Sequence, residues 1–299
     1  MTAIDVCVAT YRRPDLLAAL LRTLAGQRFD DGASPRLIVV DNDADGSARA
    51  VVEAFAATAS FPVTYAIEPR KSIAHARNKA LELAGGGWVA FLDDDEEAIP
   101  EWLANLVDAA RRFQADVVFG PVLSVLPDDA PVWVRKGRFF DRRRFPCGTV
   151  RPTGGFGNVL IDRRLLDRVG RGVDPDYGVT GGEDTEFFTF LGRSGAKMIW
   201  CDTAVASEAV PPPRLTLGWL LRRHYRAGQV FARVALPYMG VTGKLALALK
   251  RLGFAILAGV AAPGLWLIRR HWGVASLLAA VRNLGQLSAL VGGRFKEYV

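Results

Sequence analysis

Short apolar runs alternate with helix-spaced segments along the first hundred residues. The runs IDVCVAT (4–10), RLIVVDN (36–42), PVTYAIE (62–68) and WVAFL (88–92) predict four strands. Between them, 15–24, 47–57 and 73–83 carry apolar residues at helical spacing, the first after a turn at Arg12, Arg13 and Pro14. Such alternation predicts an α/β fold, with parallel strands joined by right-handed crossovers.

The pattern then loosens. A helix is predicted over 102–113, a strand over 115–126, and a loop over 127–149 with six bases between Arg135 and Arg144. Residues 157–163 read as a strand, 164–169 as a short helix, 183–195 as a helix closing at Gly, and 198–210 as a last strand before Pro211, Pro212 and Pro213. Helical, apolar sequence follows, so the chain divides into 1–213 and a basic helical extension, 214–299. The 17 uncharged residues 252–268 meet the lower end of the roughly 17 to 25 needed to span a bilayer. They fit a span, an interfacial helix or a hydrophobic hairpin segment, with a soluble helical core as the alternative.

Charge sharpens this division. Residues 209–299 hold 13 Lys and Arg against one acid, Glu297, whereas 1–208 hold 25 bases and 30 acids. A basic tail attracts phosphate, in lipid or in nucleic acid. Its interleaved Leu, Ala, Val, Gly and Trp offer little to read bases, so an anionic membrane surface is the expected partner and nucleic acid is not. The N-terminus lacks the basic and apolar segments of a signal peptide, which predicts a location on the cytoplasmic face of the membrane. Cys7, Cys147 and Cys201 form no CxxC pair, suggesting neither zinc nor a disulfide framework.

Candidate chemistry sits where strands end. Asp93, Asp94, Asp95, Glu96 and Glu97 follow the fourth strand directly. Part of that charge suits the first turn of a helix with Pro100 near its start. Carboxylates fixed beyond the carboxyl end of a buried strand also lie where open α/β sheets bind ligands, and they repel one another unless a cation joins them. Mg²⁺ or Mn²⁺, which prefer oxygen ligands, is the expected cofactor.

ATYRRP (9–14), VVDNDADGS (39–47), HARNKAL (75–81) and FLDDDE (91–96), in this order and spacing, resemble the family 2 glycosyltransferases of bacterial surface polysaccharide synthesis. The resemblance covers about residues 4–233. It implies a GT-A fold, a Rossmann-like, largely parallel nucleotide-binding sheet, carrying here a C-terminal membrane-associating extension.

The resemblance also implies roles. Asp95 and Asp93 match the outer acids of the D-x-D motif, Asp95 as the direct metal ligand. Thr10, Tyr11, Arg13, Asp41, Arg77, Asn78 and Asp94 fall on nucleotide-sugar-binding segments. GGEDTE (181–186) is similar to the E-D motif, making Asp184 the general base and Glu183 the second candidate. His224 and Arg226, in a basic segment loosely similar to the Q-x-x-R-W region, are candidates for metal and diphosphate. The implied activity is inverting transfer from a nucleotide-sugar donor, UDP-linked by expectation, to an acceptor such as a polyprenyl-diphosphate-linked glycan. The loop 133–144 is a candidate acceptor contact. A nucleotidyltransferase is the alternative, but ATYRRPDLL lacks its Gly-rich phosphate loop. A non-catalytic membrane adaptor has no need of Asp93, Asp95 or Asp184.

Overall fold

The computed structural model describes residues 2–29, 33–178 and 180–293. The chain forms two compact units, one of residues 1–123, 142–178 and 186–208, the other of 124–141, 179–185 and 209–299. The second therefore takes more than the tail that composition marks off.

In the first unit, β1 (Thr2–Thr10), α1 (Pro14–Ala25), β2 (Ala33–Asp41), α2 (Arg49–Ala56), β3 (Val63–Ile67), α3 (Ile73–Leu83) and β4 (Trp88–Asp93) realise the predicted alternation. β1 runs parallel to both β2 and β4, and β2 to β3. Period-two alternation sorts their side chains. Val6, Val8, Leu37, Val39, Ala90 and Leu92 pack on one face with Leu17 and Leu21 of α1, while Cys7, Ile38, Val40, Val89 and Phe91 pack on the other with Ala76 and Ala80 of α3. Covering both faces is what keeps a parallel sheet dry.

After β4 the chain departs from expectation. Glu96 opens not a helix but the short strand β5 (Glu96–Ala98), which pairs antiparallel with a later strand, so these acids are not first-turn residues. Next come α4 (Trp102–Phe113), β6 (Val117–Phe119) and β7 (Val122–Val125). The strand expected over 115–126 is thus two strands in different sheets, split at Gly120 and Pro121. α5 (Val132–Gly137) interrupts the expected loop; β8 (Asn158–Asp162), α6 (Arg163–Val169) and α7 (Glu183–Arg193) follow as predicted. The last expected strand is likewise divided, into β9 (Met198–Trp200) and β10 (Ala206–Ala209). The main sheet has the order β3-β2-β1-β4-β8-β6-β9, with β8 antiparallel to both neighbours; the second has the order β5-β10-β7.

The second unit is helical, with α8 (Leu217–Ala235), α9 (Val241–Ile268) and α10 (Arg270–Leu290). α8 and α10 cross at two glycines. A Cβ on Gly228 would lie 2.0 Å from the Arg282 carbonyl oxygen, and one on Gly285 would lie 2.0 Å from that of Tyr225. Gln229 Nε2 donates to Ser288 Oγ at 2.7 Å beside this crossing. α9 runs through Pro263 and is the one described helix long and apolar enough to cross a membrane. Only 11% of its most apolar stretch is buried, so little of that stretch packs inside the chain. Leu252, Phe254, Ile256, Leu257, Val260 and Leu267 are all exposed.

Candidate active site

Strand register brings the predicted segments to one edge of the sheet. Thr10 stands opposite Asp41, and Ala9 opposite Asp93, so β1, β2 and β4 end level with one another. The Thr10 hydroxyl donates to Asp94 Oδ2 at 2.7 Å. Arg13 Nη1 donates to Asp94 Oδ1 at 3.2 Å and reaches Asp95 Oδ2 at 3.5 Å. From α3, Arg77 Nη2 donates to Asp93 Oδ1 at 3.0 Å, its guanidinium 4.6 Å from the Phe156 ring centre. Three cation or hydroxyl donors thus meet three consecutive carboxylates.

These carboxylates are not equivalent. The side chains of Asp93 and Asp95 are 44% and 18% exposed, whereas that of Asp94 is 7% exposed. Burial raises the Asp94 carboxyl to about 6, against the opposing pull of the Thr10 hydroxyl and Arg13. Burial, with Asp93 beside it, pushes Glu96 well above the ordinary range. Glu96 Oε2 accepts the backbone N–H of Asp93 at 3.0 Å, while its Oε1 is buried without a hydrogen-bond partner among the described residues. A Cβ on Gly157 would lie 2.6 Å from that oxygen and 3.1 Å from Asp93 Oδ2, so only glycine leaves this wall open. Sequence reasoning missed both Glu96 and Gly157.

Asp93 and Asp95 are hard oxygen donors that suit Mg²⁺ or Mn²⁺. Among the described residues, no three His, Cys, Asp or Glu side chains gather as a metal site. A cation here would take these two carboxylates and complete its shell from phosphate and water, as Mg²⁺ commonly does beside substrate phosphates.

Other predicted residues divide. Asp41 is fully buried; its Oδ1 accepts from the Asp43 N–H, and its Oδ2 from the Ala48 N–H and the Tyr65 hydroxyl. It braces the loop after β2, and contact with a base would exchange one of these bonds. Arg12, at a left-handed φ of 54°, pairs instead with Asp43 at 3.0 Å. Tyr11 has the Arg12 and Lys71 cations 5.4 and 5.5 Å from its ring centre. Asn78 is not directed to the carboxylates. Its Nδ2 donates to the Val173 carbonyl at 2.8 Å and its Oδ1 accepts the Val173 N–H at 2.7 Å, so its amide is spent on the chain itself.

The remaining candidates lie in the second unit. Apart from Val179, outside the described residues, the motif turns through Gly181 and Gly182 at φ of 72° and 95° into the first turn of α7. Positive φ requires glycine there, and a Cβ on Gly182 would meet Val230 Cγ1 at 2.4 Å. Asp184 Oδ1 accepts from the Thr185 hydroxyl at 3.2 Å, and Glu183 is buried. Arg233 donates to the Thr180 hydroxyl just before the turn. His224 and Arg226 lie on α8, where Nδ1 of His224 is 2.9 Å from the Leu220 carbonyl oxygen. Trp133, of the candidate acceptor loop, packs on Phe139 at 5.8 Å.

Comparison with known proteins bears on the family and the fold. The chain is 36% identical to the succinoglycan biosynthesis protein ExoM of Rhizobium meliloti, over 97% of this chain and 93% of that protein. A mannosyltransferase from Pyrobaculum calidifontis, solved with GDP-Man and Mn²⁺, shares the GT-A fold with a TM-score of 0.62 at 23% identity, over 95% of this chain and 86% of that one. TarS 1–349 of S. aureus, solved with UDP-GlcNAc, superposes with a TM-score of 0.55 at 16% identity, over 98% and 92% of the two chains. The sequence model of Glycosyl transferase family 2 matches residues 5–170, and the chain belongs to that family.

Proposed function

We propose that the protein is an inverting, metal-dependent glycosyltransferase. It moves a sugar from a UDP-linked donor to a hydroxyl of a lipid-linked glycan, in surface polysaccharide synthesis at the cytoplasmic face of a bacterial inner membrane. The observation that carries this reading is the meeting of Thr10, Arg13 and Arg77 with Asp93, Asp94 and Asp95 at level strand ends. Likeness to ExoM supports the polysaccharide setting, and the exposed apolar face of α9 supports the membrane.

In this reading Asp93 and Asp95 would hold a divalent cation, whose charge would offset that of the leaving nucleoside diphosphate. Arg77 and Arg13 fix these carboxylates and add positive charge at the same edge. Asp184 takes the proton from the acceptor hydroxyl as its oxygen attacks the anomeric carbon. Direct displacement assisted by one base inverts the configuration at that carbon. No second carboxylate is needed to protonate the departing group, in contrast to glycoside hydrolysis.

Isothermal titration of the full chain with UDP and with GDP, each with Mn²⁺ and with EDTA, tests the donor half. Metal-dependent binding of UDP, lost in Asp95→Ala, is expected. A folded protein that binds neither nucleotide under any of these conditions overturns the reading.

A further inference from the structure

The second unit contains a cavity of about 400 Å³ whose lining includes none of Asp93, Asp94 and Asp95. Its walls include His224 and Phe231 of α8, Arg251 of α9, and Arg282, Asn283 and Gln286 of α10. This volume lies within the usual range of small-molecule sites, roughly 300–1,000 Å³. Among the described residues, no Asp or Glu lines it.

Its polar groups are incompletely paired. Among the described residues, Nε of Arg251 is buried with no hydrogen-bond partner, while Nη1 only reaches Asn283 Oδ1 at 3.5 Å. Gln286 is 3% exposed, and its Oε1 has no partner among the described residues either. Leaving such groups dry costs free energy, so the cavity suits a ligand that supplies acceptors to arginine and a hydroxyl to the amide oxygen. Among the described residues, Arg251 and Arg282 are the arginines that line this space.

Position adds a second constraint. The uncharged run of α9 begins at Leu252, immediately after Arg251, and much of it is exposed. A ligand with its anionic head beside Arg251 finds hydrocarbon surface one residue further along the same helix. Phosphate at the junction of a sugar and a long chain has this pattern of charge, hydroxyl and apolar tail.

We infer that the cavity bounded by Arg251, Arg282 and Gln286 seats the phosphate and first sugar of a lipid-linked glycan, whose hydrocarbon chain lies on α9. The identification of that lipid as the acceptor rests on the transferase reading. Arg251 and Arg282 take the phosphate oxygens as charge-assisted donors, and Gln286 Oε1 accepts from a sugar hydroxyl.

The test uses the full chain in neutral detergent micelles and farnesyl diphosphate as probe. Saturable binding is expected, weakened at least tenfold in an Arg251→Gln, Arg282→Gln double variant and largely restored by Arg251→Lys, Arg282→Lys. Circular dichroism and UDP titration of each variant report whether it is folded. Binding unchanged in the Gln double variant overturns the site. Inorganic diphosphate binding as tightly as the probe overturns the role of the chain, and equal displacement by phosphatidylglycerol assigns the cavity to bilayer headgroups instead. Loss of UDP binding in the wild type, with farnesyl diphosphate still bound, would sink the transferase reading and leave the lipid site standing.

Discussion

The Thr10 hydroxyl donates to Asp94 Oδ2 at 2.7 Å and ties the end of β1 to the acidic turn after β4. Both residues are buried, so no water replaces the bond if it is lost. Thr10→Val keeps the shape and removes the donor. The expected cost is about 1.5–3 kcal/mol of stability, the range for a hydrogen bond to a charged group. Urea unfolding checks it, and an unchanged midpoint would show that Asp94 does not depend on this bond.

Asp184→Asn retains size and first-turn position while removing the basic oxygen. If Asp184 is the base, turnover falls by about 10²–10⁴ with nucleotide affinity unaltered. Transfer assayed alongside nucleotide titration separates these effects. Wild-type turnover would return the role to Glu183, its buried neighbour.

Acid should expose one ion pair selectively. Glu68 accepts from the Arg70 side chain through both oxygens at 2.8 Å, and this bond holds its carboxyl at about 2, below the usual 4.5. A depressed carboxylate stabilises the fold above its unfolded pKa, and the contribution fades as pH falls from about 4.5 towards 2. Denaturant midpoints of wild type and Glu68→Gln should therefore converge across that window. A constant gap would contradict the pairing.

Gly228 sits where α8 meets the Arg282 carbonyl, with no space for a Cβ. Gly228→Val must push the helices apart, and overpacking of this kind costs about 1–3 kcal/mol. Since that crossing belongs to the second unit, nucleotide binding by the folded variant should be preserved. Thermal unfolding and nucleotide titration together test both halves.

The sheet was legible because its strands are buried on both faces, leaving apolar runs such as RLIVVD that few other contexts tolerate. The acid cluster was legible for the same local reason, ending such a run. Glu96 was not, because Pro100 and adjacent acids read as a helix start, whereas pairing of Glu97 with Ser207, over a hundred residues away, makes a strand. Arg77 and Asn78 were read as one motif, yet successive helical residues point about 100° apart. One meets Asp93 and the other the backbone of Val173. Gly157 carries no local signal, since its constraint comes from two carboxylates on other strands.

The interleaving of the chain between its two units bears on how the protein is handled. A shortened version ending near Pro213, the cut that composition suggests, would delete Val230 and Arg233. These are the residues against which the Gly181–Gly182 turn and Thr180 are fastened. Such a fragment would keep Asp184 in its sequence while stripping away its mooring, and 124–141 would lose the helices with which they form a unit. The tail is thus part of the scaffold that holds Asp184, and the full chain of 299 residues is the material on which its chemistry should be measured.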